Sequence, residues 1–124
     1  AASGNDYGGS TLYPARYENV LSVNALDSNG QKLFDDDNGK SVAVPGGNIV
    51  TTYSSATESK KYASYTGTSV AAPIVSGTVA LALQANPNLT NRDIYGYFHG
   101  NSAQFNVKTV LNDLKNIQQG GAEK

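Results

Sequence analysis

The chain has 124 residues with a formal net charge of −1, a length that suits one domain and can bury a core without disulfide or metal staples. It lacks Cys, Met and Trp, which excludes a disulfide frame, a thiolate zinc site and a cysteine nucleophile. The near-neutral balance offers no electrostatic footprint for nucleic acid, and Lys60-Lys61 is the only adjacent basic pair. No uninterrupted apolar run approaches the ~18–20 residues of a membrane span. No signal segment opens the chain, so an export signal is expected to be removed or to lie upstream.

In chain order, "AASGND" (1–6) is a small-residue segment that ends in a turn signal. "NVLSVNALDSNG" (19–30) sets Val20, Ser22 and Asn24 against Leu21, Val23 and Ala25 and closes on Asp-Ser-Asn-Gly, which predicts a strand and a turn. Asp35 to Gly39, "DDDNG", superficially suggests a calcium loop. Counted from Asp35, however, the Gly and Glu positions of an EF-hand fall on Lys40 and Gly46, and a solvated turn is expected instead. "SVAVPGGNIVTTYSS" (41–55) predicts two short strands around Pro45-Gly46-Gly47.

From Thr68 the character changes. "TSVAAPIVSGTVALALQA" is small and apolar on almost every side, which predicts a helix buried on most faces, with Pro73 early enough to cost little. "NPN" ends it. A second helix follows, with Thr90 as N-cap and Asp93 closing a capping-box variant. Val107, Val110, Leu111, Leu114 and Ile117 predict a third helix, ended by Gly120-Gly121. Asn88-Leu89-Thr90 is a glycosylation sequon whose threonine is committed to that cap.

Ser69 is the candidate nucleophile. A serine at a helix start meets unpaired N–H groups and a dipole that favour negative charge, and Gly67, Ala71 and Ala72 leave room around it. The same Gly-Thr-Ser also reads as a plain helix cap. His99 is the only histidine. It sits at the end of a helix, where it suits the dipole as a structural or solvent-facing residue, and the chain lacks the G-x-S-x-G elbow of an α/β-hydrolase. No base for Ser69 is found within these residues.

"GTSVAAPIVSG" resembles the serine motif of the subtilisin-like serine peptidases, the subtilases. "AASGN", "YPARYENVLSVNALD", "VAVPGGNI" and "NPNLTNRDI" are similar to further segments in the family's order. The resemblance covers nearly the whole chain. It implies an α/β, three-layer parallel-sheet subtilisin-like fold, with residues 1–124 forming the C-terminal part of one catalytic domain. The family's Asp and His would then lie upstream of Ala1, in an N-terminal portion or a processed partner chain. In such an arrangement Ala1 begins at a buried central strand.

Residue by residue, the resemblance implies Ser69 as nucleophile and Asn5 as side-chain donor to the oxyanion, with Thr68 supporting that hole. Ala2, Ser3 and Gly4 would wall the primary specificity pocket, and Leu12 would narrow its base. Tyr13-Pro14 resembles a cis-proline turn, after which the carbonyls of Ala15, Tyr17 and Val20 would bind a calcium or monovalent ion weakly. No cofactor is needed for the chemistry. A secreted or cell-surface bacterial endopeptidase acting on peptides or proteins is implied, with zymogen processing and without nucleic acid or a membrane span. Two other readings stay open: a non-catalytic subtilase-like binding module, and a narrow-specificity leader-peptide peptidase.

Overall fold

The computed structural model describes residues 1–36, 40–100 and 104–118. Its elements are β1 (Val23–Leu26), β2 (Val42–Pro45), β3 (Ile49–Thr52), β4 (Tyr62–Tyr65), α1 (Thr68–Ala85), α2 (Asn91–Gly100) and α3 (Val107–Lys115). They fall into two compact units, Ala1–Pro73 and Ile74–Lys124, and α1 passes from the first into the second.

In the first unit β1 pairs in parallel with β2, from Val23 opposite Val42 to Leu26 opposite Pro45. Ala2 forms a single parallel bridge to Val23 on the other side, so β1 is bonded along both edges, to a strand on one and to that bridge on the other. Both faces of β1 are buried: Val23 and Ala25 are core, and so are Ser22 and Asn24. The alternation of this segment therefore does not separate core from solvent. A strand covered on both sides must pair its polar side chains internally. The Ser22 and Ser41 hydroxyls lie 2.7 Å apart, and Asn24 Nδ2 donates to the Phe34 carbonyl at 2.8 Å.

The turn after β1 forms as its sequence predicts. Asp27 Oδ1 accepts from Asn29 and Gln31 N–H, and Gly30 takes a positive φ of 78°. Within the Asp-rich stretch, Asp36 accepts from Lys32 and from Ser41 N–H, while Asp37, Asn38 and Gly39 lie outside the described residues. β3 and β4 form an antiparallel pair, Ile49 opposite Tyr65. β4 has no counterpart in the sequence reading, because "YASY" is short and flanked by polar residues, and its partner strand alone orders it.

Helix α1 forms over the expected residues and continues through Pro73. Burial is narrower than expected: Ala71, Val75, Thr78 and Ala82 make one stripe, while Leu81 and Leu83 are 50% and 37% exposed. The sequence predicts burial on most faces, and among the described residues only one side of α1 is covered. By length and composition α1 is also apolar enough to cross a membrane, with a mean hydropathy of 1.4 over 18 residues. Thr, Ser, Gly and Gln interrupt every apolar run, yet the average over the helix stays apolar.

In the second unit the capping box of α2 is formed. Thr90 N–H and hydroxyl both reach Asp93 Oδ2 at 2.8 Å, and Asp93 N–H donates to Thr90 Oγ1. These bonds, the backbone one first, hold the Asp93 carboxyl below its ordinary pKa. α3 opens on Asn106, whose side chain accepts from Thr109 N–H, and ends at Lys115 with Asn116 as C-cap. The helix is therefore shorter than the spacing through Ile117 implies, and Gly120-Gly121 lies outside the described residues. Asn86 Nδ2 reaches the Leu114, Lys115 and Ile117 carbonyls at 3.3, 3.4 and 3.1 Å, taking up acceptors that a helix end leaves open. Among the described residues, Leu89, Ile94, Phe98, Val110 and Leu114 are the buried apolar residues of this unit beyond α1.

Candidate active site

β2 ends at Pro45-Gly46, and Gly46 brings the chain back to the start of α1: its carbonyl accepts from Gly67 N–H at 2.9 Å. α1 begins at Thr68, so Ser69 is the second residue of the helix rather than its cap. Ser69 is exposed, whereas Thr68 is 1% exposed.

Asn5 and Thr68, far apart in sequence, are locked together. Asn5 Oδ1 accepts from both Thr68 N–H and the Thr68 hydroxyl, each at 2.9 Å. Thr68 Oγ1 in turn accepts from Gly4 N–H at 3.2 Å. Because a backbone N–H can only donate, the amide oxygen of Asn5 must face Thr68, and Nδ2 points away from it. A Cβ placed on Gly67 would stand 3.1 Å from that nitrogen. Gly67 also holds a φ of 156°, so its lack of a side chain serves both the turn and the approach of Asn5.

The donors at the helix start can be followed one by one. Gly67 N–H goes to Gly46 O, Thr68 N–H to Asn5, and Val70 and Ala71 N–H to Gly67 O at 3.3 Å. Ser69 N–H has no acceptor among the described residues, and neither does Asn5 Nδ2. The start of α1 thus carries one uncommitted backbone donor, Ser69 N–H, beside its own exposed hydroxyl, and the Asn5 amide that Thr68 holds carries a second, donors of the kind suited to a negatively charged oxygen.

The remaining expected site residues separate into two groups. Ala2, Ser3, Gly4 and Leu12 come together: Ser3 N–H donates to Val23 O, and Ser3 O accepts from Leu12 N–H, both at 2.8 Å. Gly4 has a φ of 113°, and a Cβ there would meet the Leu12 Cδ1 and Cγ atoms at 2.8 Å. The Leu12 side chain therefore fills the space over Gly4, beside Asn5. The Ser3 hydroxyl is buried with no hydrogen bond among the described residues.

Ala15, Tyr17 and Val20 form the second group, in a turn that follows the cis Tyr13-Pro14 bond. Tyr17 O already accepts from Val20 N–H at 3.1 Å. A set of neutral carbonyls with one already engaged suits a weakly held cation at most. His99 is exposed and stacks on Tyr95 at 4.1 Å between ring centroids. Sequence reasoning missed the Gly4–Thr68 bond and the Asn24–Phe34 bond, since nothing local marks either pairing.

Residues 1–119 match the family model described as "Subtilase family". The chain is 42% identical over 102 residues to the halolysin-like extracellular serine protease Nep of Natrialba magadii, covering 80% of this chain and 18% of that protein. It is 43% identical over 96 residues to Subtilisin Savinase of Lederbergia lenta, covering 76% of this chain and 34% of that protein. Among solved structures, fervidolysin from Fervidobacterium pennivorans, a keratinolytic enzyme related to subtilisin, superimposes with a TM-score of 0.72 at 29% identity. That match covers 90% of this chain and 22% of fervidolysin. The chain thus spans about a third or less of each of these relatives. Its α/β architecture is subtilisin-like, and the chain belongs to the subtilase family.

Proposed function

We propose that this chain is the C-terminal part of a secreted or cell-surface serine endopeptidase that cleaves peptide bonds through an acyl-enzyme on Ser69. The observation that carries the reading is a pair of donors with no acceptor among the described residues: Ser69 N–H at the start of α1, and Nδ2 of Asn5, whose amide oxygen is bonded to the neighbouring Thr68. Ser69 Oγ attacks the scissile carbonyl and loses its proton to a histidine outside residues 1–124. The oxygen that becomes negative is received by the two donors; the scissile C–N bond then breaks, the amine leaves with the proton handed back by that histidine, and water hydrolyses the remaining ester to free the acid and Ser69. Loss of one such donor costs about 10²–10³ in turnover, a range itself measured on a subtilisin asparagine.

Gly4 and Ser3 would offer backbone to an extended peptide, and Leu12 would shorten the pocket for the residue before the cleaved bond. No cofactor takes part in the chemistry. A structural cation would rest on the carbonyls of Ala15, Tyr17 and Val20, bound weakly for the reason given above. The partner is the portion of the same domain that carries Asp and His, and neither nucleic acid nor membrane is invoked.

The test is labelling of the complete protein with a fluorophosphonate, followed by peptide mapping. The expected result is a single adduct on Ser69 that Ser69→Ala abolishes. An unlabelled Ser69 in a protein whose Asp and His are intact overturns the peptidase reading and leaves a binding module.

A further inference from the structure

The parallel pairing beside β1 stops where the chain turns toward Asn5. Val23 N–H donates to Ala1 O and Ser3 N–H to Val23 O. Regular continuation would give Ala25 N–H the Ser3 carbonyl, but that carbonyl is taken by Leu12 N–H. The vacated positions on β1 are filled by other groups. Ala25 N–H donates to Asn24 Oδ1 at 2.7 Å, and Ala25 O accepts from Leu33 N–H at 2.9 Å. Asn24 Nδ2 completes the patch by donating to Phe34 O at 2.8 Å. A fully buried asparagine, 0% exposed, thus replaces the missing strand and pins the return segment at Phe34.

That segment touches the residues that directly follow Asn5. Phe34 packs on Tyr7 at 5.4 Å between ring centroids, and Asp35 N–H donates to Asp6 O at 3.3 Å. Asn5 is therefore held from two sides: by Thr68 at its side chain, and by residues 34–35 through the backbone that leaves it. We propose that Asn24 is a positioning residue for the oxyanion donor Asn5, acting through Phe34 on Asp6 and Tyr7. This rests on the reading of Asn5 as a catalytic donor. Asn24 touches no reacting atom. Its effect is on where Asn5 Nδ2 stands when charge develops, and small displacements of such groups cost turnover.

The experiment compares Asn24→Leu, Tyr7→Ala, Asn5→Ala and the double variants with Asn5→Ala in the complete protein. Turnover is normalised to fluorophosphonate-labelled Ser69, so misfolded material does not count. Asn24→Leu is expected to lower kcat by about three- to tenfold with KM unchanged, and Tyr7→Ala, on an exposed side chain, by a smaller factor. Both losses should vanish in the Asn5→Ala background, since a misplaced donor that is absent has nothing left to lose. An unchanged kcat per labelled site in both single variants overturns the proposal, as does a loss that persists without Asn5. Should Asn24→Leu not fold, Tyr7→Ala and its double variant decide the matter alone. A full kcat in Asn5→Ala itself would instead show that the reading of Asn5 had failed, a result visible in that variant alone.

Discussion

Replacing Thr68 with Val removes one hydroxyl while keeping the shape of the side chain. The hydroxyl makes two contacts: it donates to Asn5 Oδ1 at 2.9 Å and accepts from Gly4 N–H at 3.2 Å. Each such bond contributes about 0.5–1.5 kcal/mol net, and a partly buried N–H left without an acceptor costs about 1–3 kcal/mol. The variant should therefore lose about 1–3 kcal/mol of stability. Asn5 keeps its bond from Thr68 N–H, so it is loosened rather than lost. Turnover per labelled Ser69 should fall by roughly tenfold, about 1.4 kcal/mol of transition-state stabilisation, well short of the loss in Asn5→Ala. Urea unfolding and kcat normalised to fluorophosphonate-labelled enzyme read the two effects separately. Thr68→Ser should recover most of both, because it restores the hydroxyl. A turnover loss in Thr68→Val equal to that in Asn5→Ala would refute the division of labour between the two bonds. A variant indistinguishable from wild type would refute the network itself.

Leu12→Gly should open the space over Gly4 and raise kcat/KM for substrates with a large aromatic residue before the cleaved bond relative to those with alanine there. An unchanged preference across a peptide series would place the pocket elsewhere. Ser3→Ala should raise the melting temperature, since it deletes a buried hydroxyl that has no partner among the described residues and leaves the Ser3 backbone bonds intact. A lower melting temperature would mean that the hydroxyl is satisfied in the complete protein. Burial alone would raise the Asp36 pKa, but the Ser41 and Lys32 hydrogen bonds and the Lys32 charge outweigh it and hold the carboxyl below its ordinary value. A depressed carboxylate adds stability above its unfolded pKa, and that stability is lost as pH falls through the lower folded value. Wild type should therefore lose more stability than Asp36→Asn on acidification below the ordinary carboxylate range. Parallel urea midpoints across that range would sink the assignment.

The sequence by itself carried the punctuation and the motif. Asp27 to Gly30 closes the first strand, Pro45-Gly46-Gly47 separates the next two, and Thr90 with Asp93 starts α2, because turns and caps are local hydrogen-bond problems solved within a few residues. "GTSVAAPIVSG" marked the family and the serine for the same reason: its information is contiguous. Tertiary structure decided whatever depends on partners distant in the chain. β4 exists only opposite β3, and α1 is covered on one side because coverage depends on what packs against it, not on its own composition. Asn24 reads as the polar side of an alternating strand, yet it is buried, because β1 is covered on both faces and its edge is vacated where Ser3 turns away. Asn5 meets Thr68, the neighbour of Ser69, only when the loop after the first bridge reaches the start of α1. A hydrogen bond across more than sixty residues leaves no period or spacing in the sequence, and only the folded chain brings its two ends within 2.9 Å.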